Sequence, residues 1–297
     1  MTRRPRSAAL LAAILVAASL LGGCGSDTAD DPDPASGTTG HHSSQATPSD
    51  GSSPSSTAQA DQVTVPVYFV GDTPQGPRLY REFRRVDAAD PLGEALSLAA
   101  SGAALDPDYG TLLPAATFTT SGDATIPLPD DSWQKLPDGM QEADAQLALQ
   151  QLVYTAQGVL QSRDPITFTD ADGNPTQVFY TASEDGFTAA DPIKTLALVN
   201  VTSPEQGATV SGSFTASGVS SSFEATTPWE LRNASGKVVK RGSATAEGWM
   251  DKLYPWETEV DVSGLPPGDY TFVVMTDDPS GGEGPGPMQD SKDITIS

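Results

Sequence analysis

An α+β domain followed by an all-β sandwich, both carried on a disordered N-terminal segment, is the fold class this sequence predicts. Three observations carry that expectation. A helical apolar period runs through residues 141–161 and is flanked by strand-like runs. From about residue 198 the helical period vanishes, and seven short β-rich runs alternate with turn clusters. Residues 25–61 contain no Val, Ile, Leu, Met or aromatic side chain, so they bury too little to offset their ordering entropy. The expected division is a leader at 1–23, a tether at 24–61, an α+β domain at 62–182, a linker at 183–197 and a sandwich at 198–297.

The leader is read from its charge and length. Arg3, Arg4 and Arg6 precede an apolar run at residues 8–21, broken only by Ser19. About 14 residues make roughly 21 Å of helix, short of a ~30 Å hydrocarbon core. A basic start, a short apolar run and small residues after it form a secretory signal pattern. Pro5-Arg6 fits twin-arginine export poorly, so the general route is expected. Leu21-Gly22-Gly23-Cys24 then resembles the lipobox of bacterial lipoproteins, the alternative being an ordinary signal with an incidental cysteine. The resemblance implies cleavage between Gly23 and Cys24 and attachment of acyl chains such as palmitate at Cys24. Each buried methylene adds about 0.8 kcal/mol, so two chains anchor stably in a bilayer. The expected location is the extracytoplasmic face of the cell membrane.

Charge and residue inventory exclude several function classes. There are 39 acidic and 16 basic side chains, a net of −23. Removal of the leader takes three arginines, leaving 13 basic against 39 acidic side chains and a net of −26. No nucleic acid is expected as a partner, because affinity for phosphate backbones comes from Lys and Arg. Cys24 is the only cysteine, which leaves no intrachain disulfide. Both histidines, His41 and His42, fall in the tether, so the folded part has no means for Ser-His-Asp or Cys-His catalysis or for His-ligated zinc. No cofactor is expected. The tether itself has an r.m.s. reach of roughly 30–35 Å.

Within the α+β domain, residues 63–70 are β-rich, and Pro66 favours an edge or a bulge. Residues 79–86 make a second strand. Asp90-Pro91 supplies an N-cap and a first-turn proline for a helix over residues 92–100 that stops at Gly102. Residues 115–120 and 124–128 read as strands around Ser121-Gly122-Asp123. In the long helix, Ala145, Leu149, Leu152, Val153, Ala156, Val159 and Leu160 form one face, with Gln146, Gln150, Gln157 and Gln161 away from it. Ile166-Thr167-Phe168 and Val178-Phe179-Tyr180 flank a turn at residues 170–174 and read as a hairpin.

Several of these stretches carry a resemblance. Val67-Tyr68-Phe69, Gly110-Thr111-Leu112-Leu113-Pro114, and Gln151-Leu152-Val153-Tyr154-Thr155 running on to Ile166-Thr167-Phe168 and Asp172-Gly173 look like the GerMN domain of sporulation and germination proteins. The resemblance implies helices packed on a small sheet, a kinship with ring-building modules of envelope assemblies, and no shared catalytic residues. Arg78, Arg81, Arg84 and Arg85 are a possible docking patch for an acidic partner or for anionic phosphates, set against a solvated strand face that pairs with nearby acids. The acidic run at 170–174 starts like a calcium loop, but Pro175 and Thr181 stand where an EF-hand needs Gly and Glu, so a β-turn is expected and no metal site is assigned.

The sandwich strands are expected at residues 197–202, 209–216, 229–233, 237–246, 256–262, 270–276 and 291–296. Trp229, Trp249, Trp256, Phe214, Phe223 and Phe272 are its candidate core aromatics, and Tyr270 a candidate tyrosine corner. Val201-Thr202-Ser203-Pro204, Val210-Ser211-Gly212, Phe223-Glu224-Ala225 and Gly268-Asp269-Tyr270-Thr271 resemble the immunoglobulin-like domain of bacterial spore germination, which often accompanies the GerMN domain. Residues 279–287 form a Gly/Pro-rich insertion.

The function expected from these readings is that of a non-catalytic binding or assembly module of the cell envelope, on an actinobacterial-type lipoprotein. Its partners would be the bilayer, through acylated Cys24, and an envelope protein or cell-wall polymer. The alternatives are a calcium- or small-ligand-responsive sensor, using the loops at 170–174 and 277–283, and a carboxylate-based wall hydrolase.

Overall fold

Strands β1 (Gln62–Gly71) and β2 (Arg78–Asp87) pair antiparallel along their whole length, from Gln62 opposite Asp87 to Gly71 opposite Arg78. The structure, a computed structural model, describes residues 61–278 and 282–297. A two-residue strand, β3 (Tyr109–Gly110), joins the other edge of β1 at Val70 and Gly71 only. The rest of that edge lacks a neighbouring strand and is served by a helix. Helix α1 (Pro91–Ser101) and helix α2 (Glu142–Leu160) both pack on β1. The Tyr68 backbone N–H donates to Thr155 Oγ1 at 3.1 Å, and the Tyr68 carbonyl accepts from Gln151 Nε2 at 2.9 Å. Pro66, two residues earlier, turns its missing N–H to the same edge, where no ladder needs it. The proline thus marks an edge, as the sequence predicts.

Helix α1 starts and stops where its signals lie. Asp90 Oδ1 accepts from the Gly93 N–H at 2.8 Å, and Gly102 takes the left-handed conformation at φ 65°. Helix α2 departs from the predicted amphipathic pattern, since every residue from Gln151 to Gln157 is buried. Two glutamines lie inside because they bond backbone. Gln151 serves β1, and Gln157 Nε2 donates to the carbonyls of Arg163 and Asp164.

Two strand expectations in this domain are corrected. Residues 115–120 form no strand, because their backbone is taken by side chains of α1 and its N-cap: Phe118 N–H donates to Ser97 Oγ, and Thr120 N–H to Asp90 Oδ2. Strand β4 (Thr125–Pro127) pairs in parallel with β5 (Thr167–Thr169) instead. The expected hairpin after Ile166 also breaks. Its turn forms, with Asp170 Oδ1 accepting from the N–H groups of Asp172 and Asn174. Its return strand does not, because Phe179 and Tyr180 adopt φ of 50° and 64° and donate their N–H groups to Trp133 and Gln134 carbonyls.

The linker holds one helical turn, α3 (Pro192–Thr195), capped by Asp191. Eight strands then build two sheets. Strands β6 (Val199–Ser203), β8 (Ser213–Ser220) and β11 (Tyr254–Asp261) form one in the order β11-β8-β6. Strands β7 (Ala208–Val210), β9 (Thr226–Asn233), β10 (Val238–Thr245), β12 (Gly268–Met275) and β13 (Gln289–Ile296) form the other, in the order β10-β9-β12-β13-β7. The single run expected at 209–216 is split at Gly212, φ 64°, so that β7 joins one sheet and β8 the other. The Tyr270 hydroxyl donates to the Pro266 carbonyl at 2.9 Å, which makes the tyrosine corner. Trp229, Trp256 and Phe272 fill the core. Trp249 and Phe223 do not: they are 36% and 40% exposed and pack edge-on against each other, Trp249 from a loop and Phe223 from a 3-10 turn. The architecture is therefore an α+β domain followed by an immunoglobulin-like sandwich, and both belong to one compact unit. Among the described residues no helix is long and apolar enough to cross a membrane.

Candidate functional site

The outer edge of β2 is where the two domains join. Ala197 N–H donates to the Leu79 carbonyl at 2.9 Å, in a one-residue parallel bridge between Leu79 and Leu196. Two residues along, Arg81 N–H donates to Asn200 Oδ1 at 3.2 Å, and Arg78 Nη1 reaches the Ile193 carbonyl at 2.9 Å. The linker and β6 thus extend the β1-β2 sheet for a short distance.

Beside this edge lies a buried charged cluster. Lys292 and Asp290 share the inward face of β13 with Ile294 and Ile296 and meet Asp106 and Tyr109 of the first domain. Lys292 Nζ donates to Asp106 Oδ2 at 2.5 Å, to Tyr109 Oη at 2.8 Å and to Asp290 Oδ1 at 2.9 Å, so all three of its protons are placed. Tyr109 Oη donates in turn to Asp290 Oδ1 at 2.5 Å, while Asp290 Oδ2 accepts from Asn200 Nδ2 and the Val201 N–H. The Tyr80 ring stacks on Tyr109 at 4.7 Å, and its hydroxyl donates to the Gln289 carbonyl.

The electrostatics suit a clamp rather than a catalyst. Burial alone would lower the Lys292 ammonium, but the Asp290 and Asp106 charges outweigh it and hold its pKa above the usual lysine value. Burial, then the Asp290 and Asp106 charges, push the Tyr109 phenol well up, so it stays protonated and donating. Burial also raises Asp106, with Lys292 opposing. A lysine with its protons committed and its pKa raised has no free base to offer near neutral pH.

Besides a hollow of about 180 Å³ lined by Arg81, Glu82, Phe83, Val201, Glu205 and Lys292 among others, two larger clefts open at the joint. One, about 450 Å³, is lined by Asp72, Tyr80, Asp108 and Tyr109 from the first domain and by Arg232 and Ser291 from the second. The other, about 220 Å³, is lined by Tyr68, Arg81, Tyr154, Arg163, Asn200 and Lys252 among others. A further hollow of about 290 Å³ shares Tyr68, Tyr154 and Arg163 with it.

The four arginines singled out in the sequence do not share one face. Along a strand, Arg78 and Arg84 point opposite to Arg81 and Arg85. Arg78 serves the linker, and Arg84 binds Glu82 Oε2 at 3.3 Å and the Ala103 carbonyl. Arg81 lies 4.7 Å over the Phe83 ring, and Arg85 is exposed. Gly23, Cys24 and the two histidines lie outside the described residues, as do residues 279–281 of the second acidic loop. Among the described residues no group of three or more His, Cys, Asp or Glu side chains is placed to hold a metal ion. The joint was missed in the sequence, although it left a signal: Asp290 and Lys292 occupy the core positions of an alternating strand, where apolar residues belong.

No curated protein matches the chain. Solved structures with partial likeness include CopC from Methylosinus trichosporium OB3b, at 17% identity and TM-score 0.23 over 33% of this chain and 93% of that one. An engineered protein matches at 13% identity and TM-score 0.26, over 51% of this chain and 36% of its own. A lytic polysaccharide monooxygenase from Jonesia denitrificans matches at 13% identity and TM-score 0.22, over 32% and 60%. Likeness at that level carries no argument. The family comparisons are more direct. Residues 66–177 match the family described as sporulation and spore germination, and residues 198–283 match the immunoglobulin-like domain of bacterial spore germination. The chain therefore carries two domains related to those of spore-germination proteins, joined at a buried ionic cluster.

Proposed function

We propose that the chain is a lipid-anchored lipoprotein of an actinobacterial-type cell, held on the extracytoplasmic face of the membrane through acylated Cys24. There it acts as a non-catalytic binding and assembly module, with an envelope protein or cell-wall polymer as partner. The observation that carries this reading is the joint. Two germination-related domains are locked together by a cluster whose ionisable groups are all engaged in structure, and clefts open beside it. The anchoring half rests on Leu21-Gly22-Gly23-Cys24 after a basic and apolar leader.

Co-sedimentation of the purified chain with isolated envelopes, with the wall polymer assayed for cleavage, tests the first half. Saturable binding with intact polymer is expected. Release of polymer fragments that a single carboxylate substitution abolishes would overturn it, as would no binding. Cys24→Ala should lose incorporated acyl label and leave the membrane fraction; retention there contradicts the anchor.

A further inference from the structure

We infer that the cleft between Tyr68, Arg81, Tyr154, Arg163 and Lys252 is a site for a phosphoryl group carried on a polyol, a chemistry that both a soluble phosphodiester polymer and a lipid headgroup present. The inference rests on the binding role proposed above and specifies its ligand.

The cleft is an exception on a strongly acidic protein. Its three cations come from three separate segments: β2, the turn after α2, and the loop before β11. Its lining includes no Asp or Glu. The ion pairs among the described residues engage Arg84, Lys194, Arg232, Lys240 and Lys292, and none involves Arg81, Arg163 or Lys252. Arg81 and Lys252 each lie 4.7 Å over an aromatic ring, Phe83 and Tyr254, contacts that leave their charge unneutralised on a chain with 39 acids against 16 bases. A second, independent observation concerns Arg81. Its Nε is buried and has no hydrogen-bond partner, while its guanidinium lies over Phe83, so that Arg81 lines both this cleft and the hollow on the Phe83 side. A nearby carboxylate, Asp191, caps α3, accepting from Ile193 N–H at 3.0 Å with Lys194 Nζ at 3.9 Å.

A phosphoryl group suits this arrangement better than a carboxylate. It offers more acceptor oxygens, and Arg meets phosphate with paired N–H donors. The Tyr68 and Tyr154 rings, 5.3 Å apart and tilted 48° to each other, give the polyol an angled, polar-rimmed aromatic wall. The hollow continues past Arg163 along the end of α2, so the ligand can run on rather than terminate. The charge of the whole chain repels anions at a distance, so recognition is local to the cleft and strongly weakened by salt.

The test is titration of the full chain in detergent with glycerol 1-phosphate at low ionic strength, followed by calorimetry and phosphorus NMR. Saturable binding is expected. Arg163→Ala with Lys252→Ala, both at exposed side chains, should weaken it about tenfold or more, while Arg85→Ala on the same strand as Arg81 leaves it unchanged. Acetate at equal concentration should not compete. Phosphatidylglycerol vesicles that bind more tightly than the soluble ester, with the same dependence on Arg163 and Lys252, assign the headgroup as source; equal or weaker binding assigns the polymer. No saturable binding, equal loss in Arg85→Ala, or full competition by acetate overturns the site. If these fail while envelope co-sedimentation persists, the binding role stands and only its ligand chemistry falls.

Discussion

Replacing Lys292 by methionine removes the cation at the centre of the domain joint and keeps most of its volume. The Lys292, Asp106 and Asp290 side chains are 5%, 2% and 0% exposed, so the substitution leaves two carboxylates without their shared counter-charge and without water. Breaking a buried pair in this way costs about 3–5 kcal/mol. For a chain of this size that lowers Tm by about 6–20 °C. The loss has a pH signature. With the ammonium gone, nothing opposes the burial that already raises Asp106, so that carboxyl holds its proton more tightly than in the unfolded chain. The variant's deficit is therefore largest at pH 7 and shrinks as pH falls toward the ordinary carboxylate range. In the parent protein the sign is opposite at the other end: the raised Lys292 pKa contributes stability that is complete below the usual 10.5 and is lost as pH climbs through the shifted value. Urea unfolding followed by circular dichroism at pH 4.5 and 7 measures the variant's deficit, and a series rising above pH 10.5 measures the parent's loss. A deficit below about 1 kcal/mol at pH 7, or one that does not change with pH, refutes the clamp.

The remaining predictions follow from single contacts. Asp90→Ala removes a carboxylate that serves Gly93 and Thr120, and should cost about 1–2 kcal/mol in thermal unfolding. Burial would raise the Asp90 pKa, but the Thr120 and Gly93 hydrogen bonds lower it, so this difference is present above the usual 3.8 and disappears as pH falls through the lowered value. A Cβ at Gly218 would stand 2.0 Å from the Asn200 carbonyl oxygen, whereas one at Gly158 would meet the Pro66 ring at 2.8 Å. Both alanine variants should lose about 1–3 kcal/mol, Gly218→Ala more, because backbone gives way less than a proline ring edge. Calcium at millimolar concentration should leave the melting curve unchanged, because Pro175 and Thr181 deny the loop that begins at Asp170 its turn glycine and its bidentate glutamate. A stabilisation removed by chelator would contradict that.

Local signals carried through to structure wherever the backbone obeys its own residues. Asp90, Pro91 and Gly102 bound α1, Pro66 marks an edge, and the strands of the second domain fall close to their expected places. The misreadings occur where a distant partner takes over the hydrogen bonds. Residues 115–120 have strand composition, but Ser97 and Asp90 take their N–H groups. Gln157 looks like a surface residue until the loop at 163–164 supplies carbonyls for it. Trp249 looked like core and is on a loop, since hydrophobicity alone does not say which side of the sandwich a turn faces. The joint was harder still, because Asp106 and Lys292 are 186 residues apart and neither has a local reason to be buried. Its one trace was the pair of charges at inward positions of β13.

The most direct test of the central claim, that the chain works by contact with the envelope, is site-specific photocrosslinking in intact cells. A crosslinker at Leu253, beside the joint, should give one reproducible adduct with an envelope protein or wall polymer, and the same group at Lys237, on the exposed turn before β10, should give none. Equal labelling at both positions, or no adduct at either, would contradict the account.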